Sequence, residues 1–313
     1  MSVVSSVCVT VPATTANLGP GFDCIGAALT LYNELKFTQQ RINQNQKLAI
    51  NVTGTEAAKV STDESNLVYQ AFIKFYQHVK QTPPPVKIDI KLGVPLARGL
   101  GSSATAIVGG LIGANVLAGE ILTPALIMEL AIEIEGHPDN VVPALLGGCR
   151  LAATSDIGWE ICDIPWNSEV VPVVAIPDFE LSTSEARQVL PAQVSRGDAI
   201  FNTAHLGLLL RGLETGNQDW LRAALQDKLH QPYRKKLINN YDAINAAALS
   251  AGAYGMVISG AGPTLLALTN TANSQAVAIA MVSEWESKEV KAQVRTLQID
   301  NQGARSVVQG KRQ

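Results

Sequence analysis

No charge of either sign dominates this chain. Its 313 residues carry 24 Lys and Arg against 27 Asp and Glu, a formal net charge of −3. That balance leaves no basic footprint for nucleic acid or an anionic membrane surface. No apolar run approaches the length of a bilayer span. The first residues lack the charged-then-apolar pattern of a secretory signal, so a cytoplasmic protein is expected. Cysteine is scarce: Cys8, Cys24, Cys149 and Cys162 have no paired metal spacing and are expected to be reduced thiols. With 4 histidines and neither an H-E-x-x-H nor a C-x-x-C motif, a structural zinc site is not expected. The G-x-x-x-x-G-K-S/T phosphate loop is missing, so any nucleotide site is of another type. Fixed-period repeats and low-complexity tracts are missing as well. What remains is 47% hydrophobic and 16% charged, an ordinary globular composition in a chain long enough for two domains.

The most informative segment is Pro95-Leu-Ala-Arg-Gly99-Leu-Gly101-Ser102-Ser103-Ala104-Thr105. Its glycines let the backbone adopt conformations closed to other residues and approach a ligand closely. Ser102 and Ser103 stand where a helix begins, with free N–H groups and a partial positive charge, which suits a phosphate. The following stretch to Ala118 is apolar and rich in small residues (Ala106, Gly109, Gly110, Gly113), a buried helix built for close packing. Two other readings compete. The loop is a plain strand-to-helix turn, or Gly99, Gly101 and Ala104 are a G-x-G-x-x-A dinucleotide fingerprint. The dinucleotide fold needs a preceding strand buried on both faces. Val86-Lys-Ile-Asp-Ile-Lys-Leu92 alternates strictly and puts its charges on one face, which marks a half-exposed strand of an antiparallel or mixed sheet.

Strands are predicted at the N-terminus up to Val11, at 28–38, 47–54, 86–92 and 170–176, and near 290–299. Asp63-Glu-Ser-Asn66 caps a helix running to about Val79. Thr123-Pro124 opens another to about Glu135, and further helices fall at 195–214, 218–229, 235–250 and 272–286. A glycine-rich hairpin spans 256–268. Strands interleaved with helices, several alternating, argue for an α+β protein with mixed sheets. The change of composition near Asp163-Ile-Pro165 divides it into domains at 1–163 and 164–313, the second apolar enough to support a homodimer.

Polar residues gather in loops at 13–23, 98–105, 133–140, 182–187 and 259–264. Phosphoryl transfer needs phosphate donors, a divalent metal and a positioned acceptor hydroxyl, with little covalent help from the protein. The 98–105 loop offers the donors, and Ser102 or Ser103 with a carboxylate such as Glu135 offers a Mg²⁺ site. Glu133 and Glu135 lie two apart at a helix end and cannot share a face, so at most one of them is a ligand. His137 is a candidate general base, substrate hydrogen-bonder or structural loop residue. Arg187 and Arg234 are surface arginines or a paired clamp for a carboxylate. Gly260 and Gly262 serve a hairpin at the least.

Blocks at 12–23 (Pro-Ala-Thr-Thr-Ala-Asn-Leu-Gly-Pro-Gly-Phe-Asp), 95–104 (Pro-x3-Gly-Leu-Gly-Ser-Ser-Ala), 135–140 (Glu-Gly-His-Pro-Asp-Asn) and 259–264 (Ser-Gly-Ala-Gly-Pro-Thr) together resemble the GHMP kinase superfamily. The first and third are most similar to the branch that acts on L-homoserine, and the likeness runs the length of the chain. The resemblance implies a two-domain fold, with an N-terminal ribosomal-S5-like domain holding a mixed sheet and a C-terminal ferredoxin-like α/β sandwich. It implies phosphoryl transfer from ATP, with Mg²⁺, to the side-chain hydroxyl of L-homoserine in threonine biosynthesis. It places the ATP phosphates in the loop Pro95, Leu96, Ala97, Arg98, Gly99, Leu100, Gly101, Ser102, Ser103, Ala104 and Thr105, with Asn66 near the adenine. It puts the metal on Ser102 and Glu135. Substrate contacts map to Asn17, Asp23, His137, Asn140, Thr183, Arg187, Arg234 and Gly260. Among these, Arg187 and Arg234 suit the carboxylate, Asp23 the ammonium, and Asn140 the hydroxyl. Asp139 stands beside it as a candidate base. The charges at Asp23 and the arginines argue against an uncharged sugar or an isoprenoid acid, and Ser102, Ser103 and Glu135 against a non-catalytic sensor. Catalysis is expected to rest on positioning and charge stabilisation, with no obligatory base.

Overall fold

In the computed structural model, residues 3–40, 47–156 and 158–312 are described. The order along the chain is β1 (Val3–Ala16), β2 (Ile25–Gln39), β3 (Leu48–Thr53), α1 (Leu67–His78), β4 (Val86–Lys91), α2 (Ser102–Leu117), α3 (Pro124–Glu135), α4 (Pro138–Leu146), β5 (Cys149–Ser155), β6 (Gly158–Ile164) and β7 (Val171–Pro177). Then follow α5 (Thr183–Gln188), α6 (Arg196–Thr215), α7 (Gln218–Ala224), α8 (Gln231–Arg234), α9 (Tyr241–Ser250), β8 (Gly255–Ile258), β9 (Leu265–Thr269), α10 (Ser274–Glu286), β10 (Ala292–Thr296) and β11 (Arg305–Arg312).

The first sheet runs β11-β1-β2-β4-β3, with β5 on the far part of β2 and β6 beyond it. Among the described residues only β3 and β4 pair in parallel, so the sheet is mixed. Alternation decides which face is buried: Val86, Ile88 and Ile90 point inward from β4 while Lys87, Asp89 and Lys91 point out. On the inner face Val7, Val9, Val11, Leu35 and Phe37 meet Phe72 and Phe75 of α1 and Ile107, Val108 and Leu111 of α2. The small residues of α2 are there for contact: a Cβ on Gly110 would stand 2.4 Å from the Val68 carbonyl oxygen of α1, and one on Gly113 2.3 Å from the Phe37 ring.

The second sheet, β10-β7-β9-β8, is antiparallel and covered on both faces. Val174, Val257 and Leu266 pack toward α6 and α7 and the first sheet, while Val173, Met256 and Leu265 pack toward α9 and α10. The mixed α+β architecture expected of the chain is what it adopts.

Several elements differ from expectation. Residues 138–146 form a helix, with Pro138 in its first turn and Gly147 closing it. Residues 149–164 form the β5–β6 hairpin. Residues 305–312 return to pair with β1. That last pairing carries the end of the chain back into the first sheet, so a cut at residue 163 does not by itself separate the two sheets. The helix expected at 235–250 begins only at Tyr241. All four cysteines are free thiols. Among the described residues no helix is long and apolar enough to cross a membrane.

Candidate active site

A cavity of about 290 Å³ opens between the two sheets, and its walls come from every loop singled out in the sequence. Non-glycine residues with positive φ cluster around it: Asn17 (72°), Asp23 (58°) and Ala97 (50°). Such conformations cost of order 1–3 kcal/mol each and persist where the surroundings enforce them.

The floor is the glycine-serine loop. Gly101 precedes α2 in a left-handed conformation, φ 66°, and no side chain caps that helix. Its first N–H groups are therefore free to take a phosphate. A Cβ on Gly101 would lie 2.0 Å from Thr14 Oγ1, so only glycine fits. The loop is pinned from several sides: Ser259 Oγ donates to the Gly99 carbonyl at 2.6 Å, Leu181 N to Ala97 O at 3.2 Å, and Thr14 N to Leu100 O at 3.1 Å.

Ala97, Gly99, Gly101, Ser102 and Ser103 face the cavity, and the other loop residues do not. Arg98 is 5% exposed and turned away, its Nε donating to Pro177 O at 2.9 Å and its Nη2 to Asp178 O at 2.8 Å. It ties the loop to the end of β7. Leu100 and Ala104 are core residues. Thr105 accepts from Asn33 Nδ2 at 2.7 Å and donates to Ser102 O. Leu96 N is held by Glu56 at 2.7 Å, and Pro95 lines a separate cleft. Asn66 stands at the start of α1, apart from the cavity. Its side chain caps α1 through Val68 N and Tyr69 N, donates to Ser61 O, and does not reach the cavity.

The structure separates the two glutamates at the end of α3. Glu133 is 60% exposed and paired with Lys74. Glu135 lines the cavity and accepts a 2.7 Å hydrogen bond from Ser103 Oγ. The hydroxyl on the carboxylate is thus that of Ser103, one residue beyond the expected Ser102, which lines the cavity beside it. Burial pushes the Glu135 carboxyl up from its ordinary value, while the Ser103 hydrogen bond and His137 pull the other way. One carboxylate and one hydroxyl beside an uncapped helix N-terminus is a donor set that fits Mg²⁺ when phosphate oxygens and water complete its shell.

The start of α4 supplies the next wall. A Cβ on Gly26 of β2 would fall 1.7 Å from the Asp139 carbonyl oxygen, so that glycine is what lets α4 sit against the sheet. Asp139 is buried, and its Oδ1 accepts from His137 Nδ1 at 2.9 Å and from Asn140 Nδ2 at 3.2 Å. The Asp139 hydrogen bond pushes the His137 imidazole up from its ordinary value, against the effect of burial. Thr14 Oγ1 donates to Asn140 Oδ1 at 2.8 Å. With Oδ1 accepting from Thr14 and Nδ2 donating once to Asp139, Asn140 lines the cavity with a second amide N–H in reserve.

The opposite wall is charged. Arg187 of α5 grips Asp23 with two hydrogen bonds, 2.8 and 3.0 Å. Arg234, fully enclosed, donates to Ala186 O and Gly260 O, both at 3.1 Å, and lies 5.0 Å from the Phe22 ring centroid. Asn17 ties the same corner together, donating to Gly260 O at 2.8 Å and accepting from Asp23 N at 2.9 Å. Thr183 opens α5 behind a Ser182–Glu185 capping box. Every expected substrate residue, Asn17, Asp23, His137, Asn140, Thr183, Arg187, Arg234 and Gly260, lines this cavity. Ser182 and Ala261 of the same loops line it too, while Thr14 and His230 stand behind the wall, against Asn140 and Arg234. Thr14 lay inside a block already singled out, whereas His230 carried no local signal.

This geometry defines a small-molecule kinase of the GHMP type, and comparison with known proteins agrees. The GHMP kinase N-terminal domain model matches residues 66–148 and the GHMP kinase C-terminal model residues 209–288. The chain belongs to the GHMP kinase family. Homoserine kinase from Nostoc punctiforme is 72% identical over 306 residues, 98% of this chain and 100% of its own length. Homoserine kinase from Microchaete diplosiphon is 73% identical over 310 residues, 99% of this chain and 100% of its own. A crystal structure of homoserine kinase from Cytophaga hutchinsonii superposes with a TM-score of 0.87 at 28% identity, covering 97% of this chain and 98% of that one.

Proposed function

We propose that the protein transfers the γ-phosphoryl group of ATP to the side-chain hydroxyl of L-homoserine, on the way to threonine, and that it does so in the cytoplasm. One observation carries the reading: a phosphate-binding helix end and a zwitterion-matched wall share a single small cavity. Asp23 takes the substrate ammonium, and Arg187 and Arg234 take its carboxylate. Asn140 steers the hydroxyl, with Thr14 fixing its amide. The N-terminus of α2 with Gly99, Gly101, Ser102 and Ser103 holds the phosphates. Glu135 with Ser103, and Ser102 beside them, would hold Mg²⁺, which when bound neutralises phosphate charge.

The chemistry asked of the chain is placement. The transition state is largely dissociative and its charge rests on the phosphoryl oxygens. The N–H groups at the start of α2 answer that charge without moving. Asp139 already accepts from two neighbours through Oδ1, which supports a role as organiser of His137 and Asn140 rather than as obligatory base. An ADP-release assay with Mg-ATP across homoserine, shikimate, mevalonate and galactose tests the assignment. Release with homoserine alone is expected; release with another alcohol and not homoserine would overturn it.

A further inference from the structure

The proposed carboxylate contact, Arg234, is held by a histidine that belongs to none of the sequence blocks. Arg234 is 2% exposed. Its Nε and Nη1 are engaged by Ala186 O and Gly260 O, and Nη1 lies 3.4 Å from His230 Nδ1. Nη2 has no partner among the described residues, so it is the nitrogen left for a ligand.

His230 is completely buried and its Nε2 lies 2.9 Å from the Gly19 carbonyl oxygen. A carbonyl only accepts, so Nε2 carries the proton. A guanidinium only donates, so Nδ1 is bare toward Arg234. The two partners together fix one neutral tautomer. Asp227, 3.6 Å from Nε2, does not change this. Its oxygens already accept from the backbone N–H groups of Leu229, His230 and Gln231 and from Asn202 Nδ2, at 2.7–3.0 Å. The Phe22 ring stacks on the imidazole with centroids 5.0 Å apart.

Gly19 lies in the loop that carries Asp23, and His230 and Arg234 share α8 and its entry. We propose that His230 is a positioning residue for acceptor selection. By bonding Gly19 and Arg234 at once, it fixes the separation between the anion and the cation that read the substrate, and so selects an α-amino acid. This rests on the carboxylate role given to Arg234 above.

The test is steady-state kinetics on His230→Asn, His230→Gln and Arg234→Ala, each with a melting curve. Asparagine keeps an acceptor near the place of Nδ1 and loses the Gly19 bond; glutamine keeps a donor near the place of Nε2 and loses the Arg234 bond. Glutamine is expected to raise the homoserine KM by about tenfold or more, the worth of a hydrogen bond to a charged group, and asparagine by about fivefold, the worth of a neutral one, each with the ATP KM within about twofold. His230→Gln added to Arg234→Ala is expected to add less than about twofold, because the two act through one contact. Unchanged homoserine KM in folded variants, or equal rises in both KM values, overturns the proposal. Nitrogen NMR of the imidazole in the wild-type enzyme gives a test that needs no variant: a protonated Nε2 and a bare Nδ1 are required, and the other tautomer overturns it. If Arg234→Ala leaves the homoserine KM unchanged, the carboxylate role itself fails. If it raises that KM while the His230 variants do not, only the role of His230 fails.

Discussion

Asp23 and Arg187, 164 residues apart in the chain, meet through two hydrogen bonds of 2.8 and 3.0 Å at the edge of the cavity. Both are about one-third exposed, so the pair is accessible and adds little to stability. On the proposed function, it holds a negative and a positive group side by side, the arrangement an α-amino acid matches. Asp23→Asn keeps the shape and removes the charge. The homoserine KM is expected to rise about tenfold or more with the ATP KM unchanged, measured by ADP release. A larger effect on ATP would contradict the assignment.

Asp139 and Thr14 organise Asn140 from opposite sides. Asp139→Asn retains an oxygen for His137 and is expected to lower kcat by about tenfold. A general base contributes up to about ten-thousandfold, so a loss of thousands-fold with the fold intact would make Asp139 the base. Thr14→Val removes one hydroxyl and frees the Asn140 amide to turn. A fall in kcat of roughly ten- to a hundredfold is expected from that misplacement, and Thr14→Ser restores it.

The two glutamates of α3 give a direct contrast. Glu135→Gln is expected to raise the half-saturating Mg²⁺ concentration by about tenfold or more, because its carboxylate faces the cavity beside Ser103. Glu133→Gln, at the surface with Lys74, leaves it unchanged. The reverse pattern in a Mg²⁺ titration would move the metal to Glu133.

Stability carries its own signature of the buried histidine. Burial holds the His230 imidazole below its ordinary value, with Arg234 acting in the same direction and Asp227 and Asp23 opposing. The unfolded chain therefore binds the proton first as pH falls through the unperturbed value near 6.5. His230 stabilises the fold above that pH and loses the contribution below it, by at most about 1.4 kcal/mol per pH unit. Urea unfolding of wild type and His230→Asn between neutral and mildly acidic pH reads this as a gap that shifts against wild type on acidification. A gap constant with pH would show that His230 takes up its proton equally in both states.

Much of the site was legible because its signals are local. Gly99, Gly101, Ser102 and Ser103 announce a helix start within a few residues, and the alternation of 86–92 rejects a dinucleotide strand without reference to anything distant. The direction Arg98 takes could not be read locally, because its partners, Pro177 and Asp178, lie some eighty residues on. Ser103 rather than Ser102 meets Glu135 because the phase of α2 is set by its packing on α1 and β2. The helix at 138–146 was hidden by Pro138, Pro143 and the flanking glycines, and β11 by a pattern with no buried face, Val307 being 63% exposed. His230 reads as an ordinary loop residue until the fold brings Gly19 and Arg234 to either side of it.

The most direct test of homoserine phosphorylation at this cavity is phosphorus NMR of the purified protein with Mg-ATP and L-homoserine. A phosphomonoester resonance of O-phosphohomoserine growing in step with ADP, and lost in Arg234→Ala at the same substrate concentration, is the expected result. ADP formed together with inorganic phosphate, with no phosphomonoester, would mean that water is the acceptor and would contradict it.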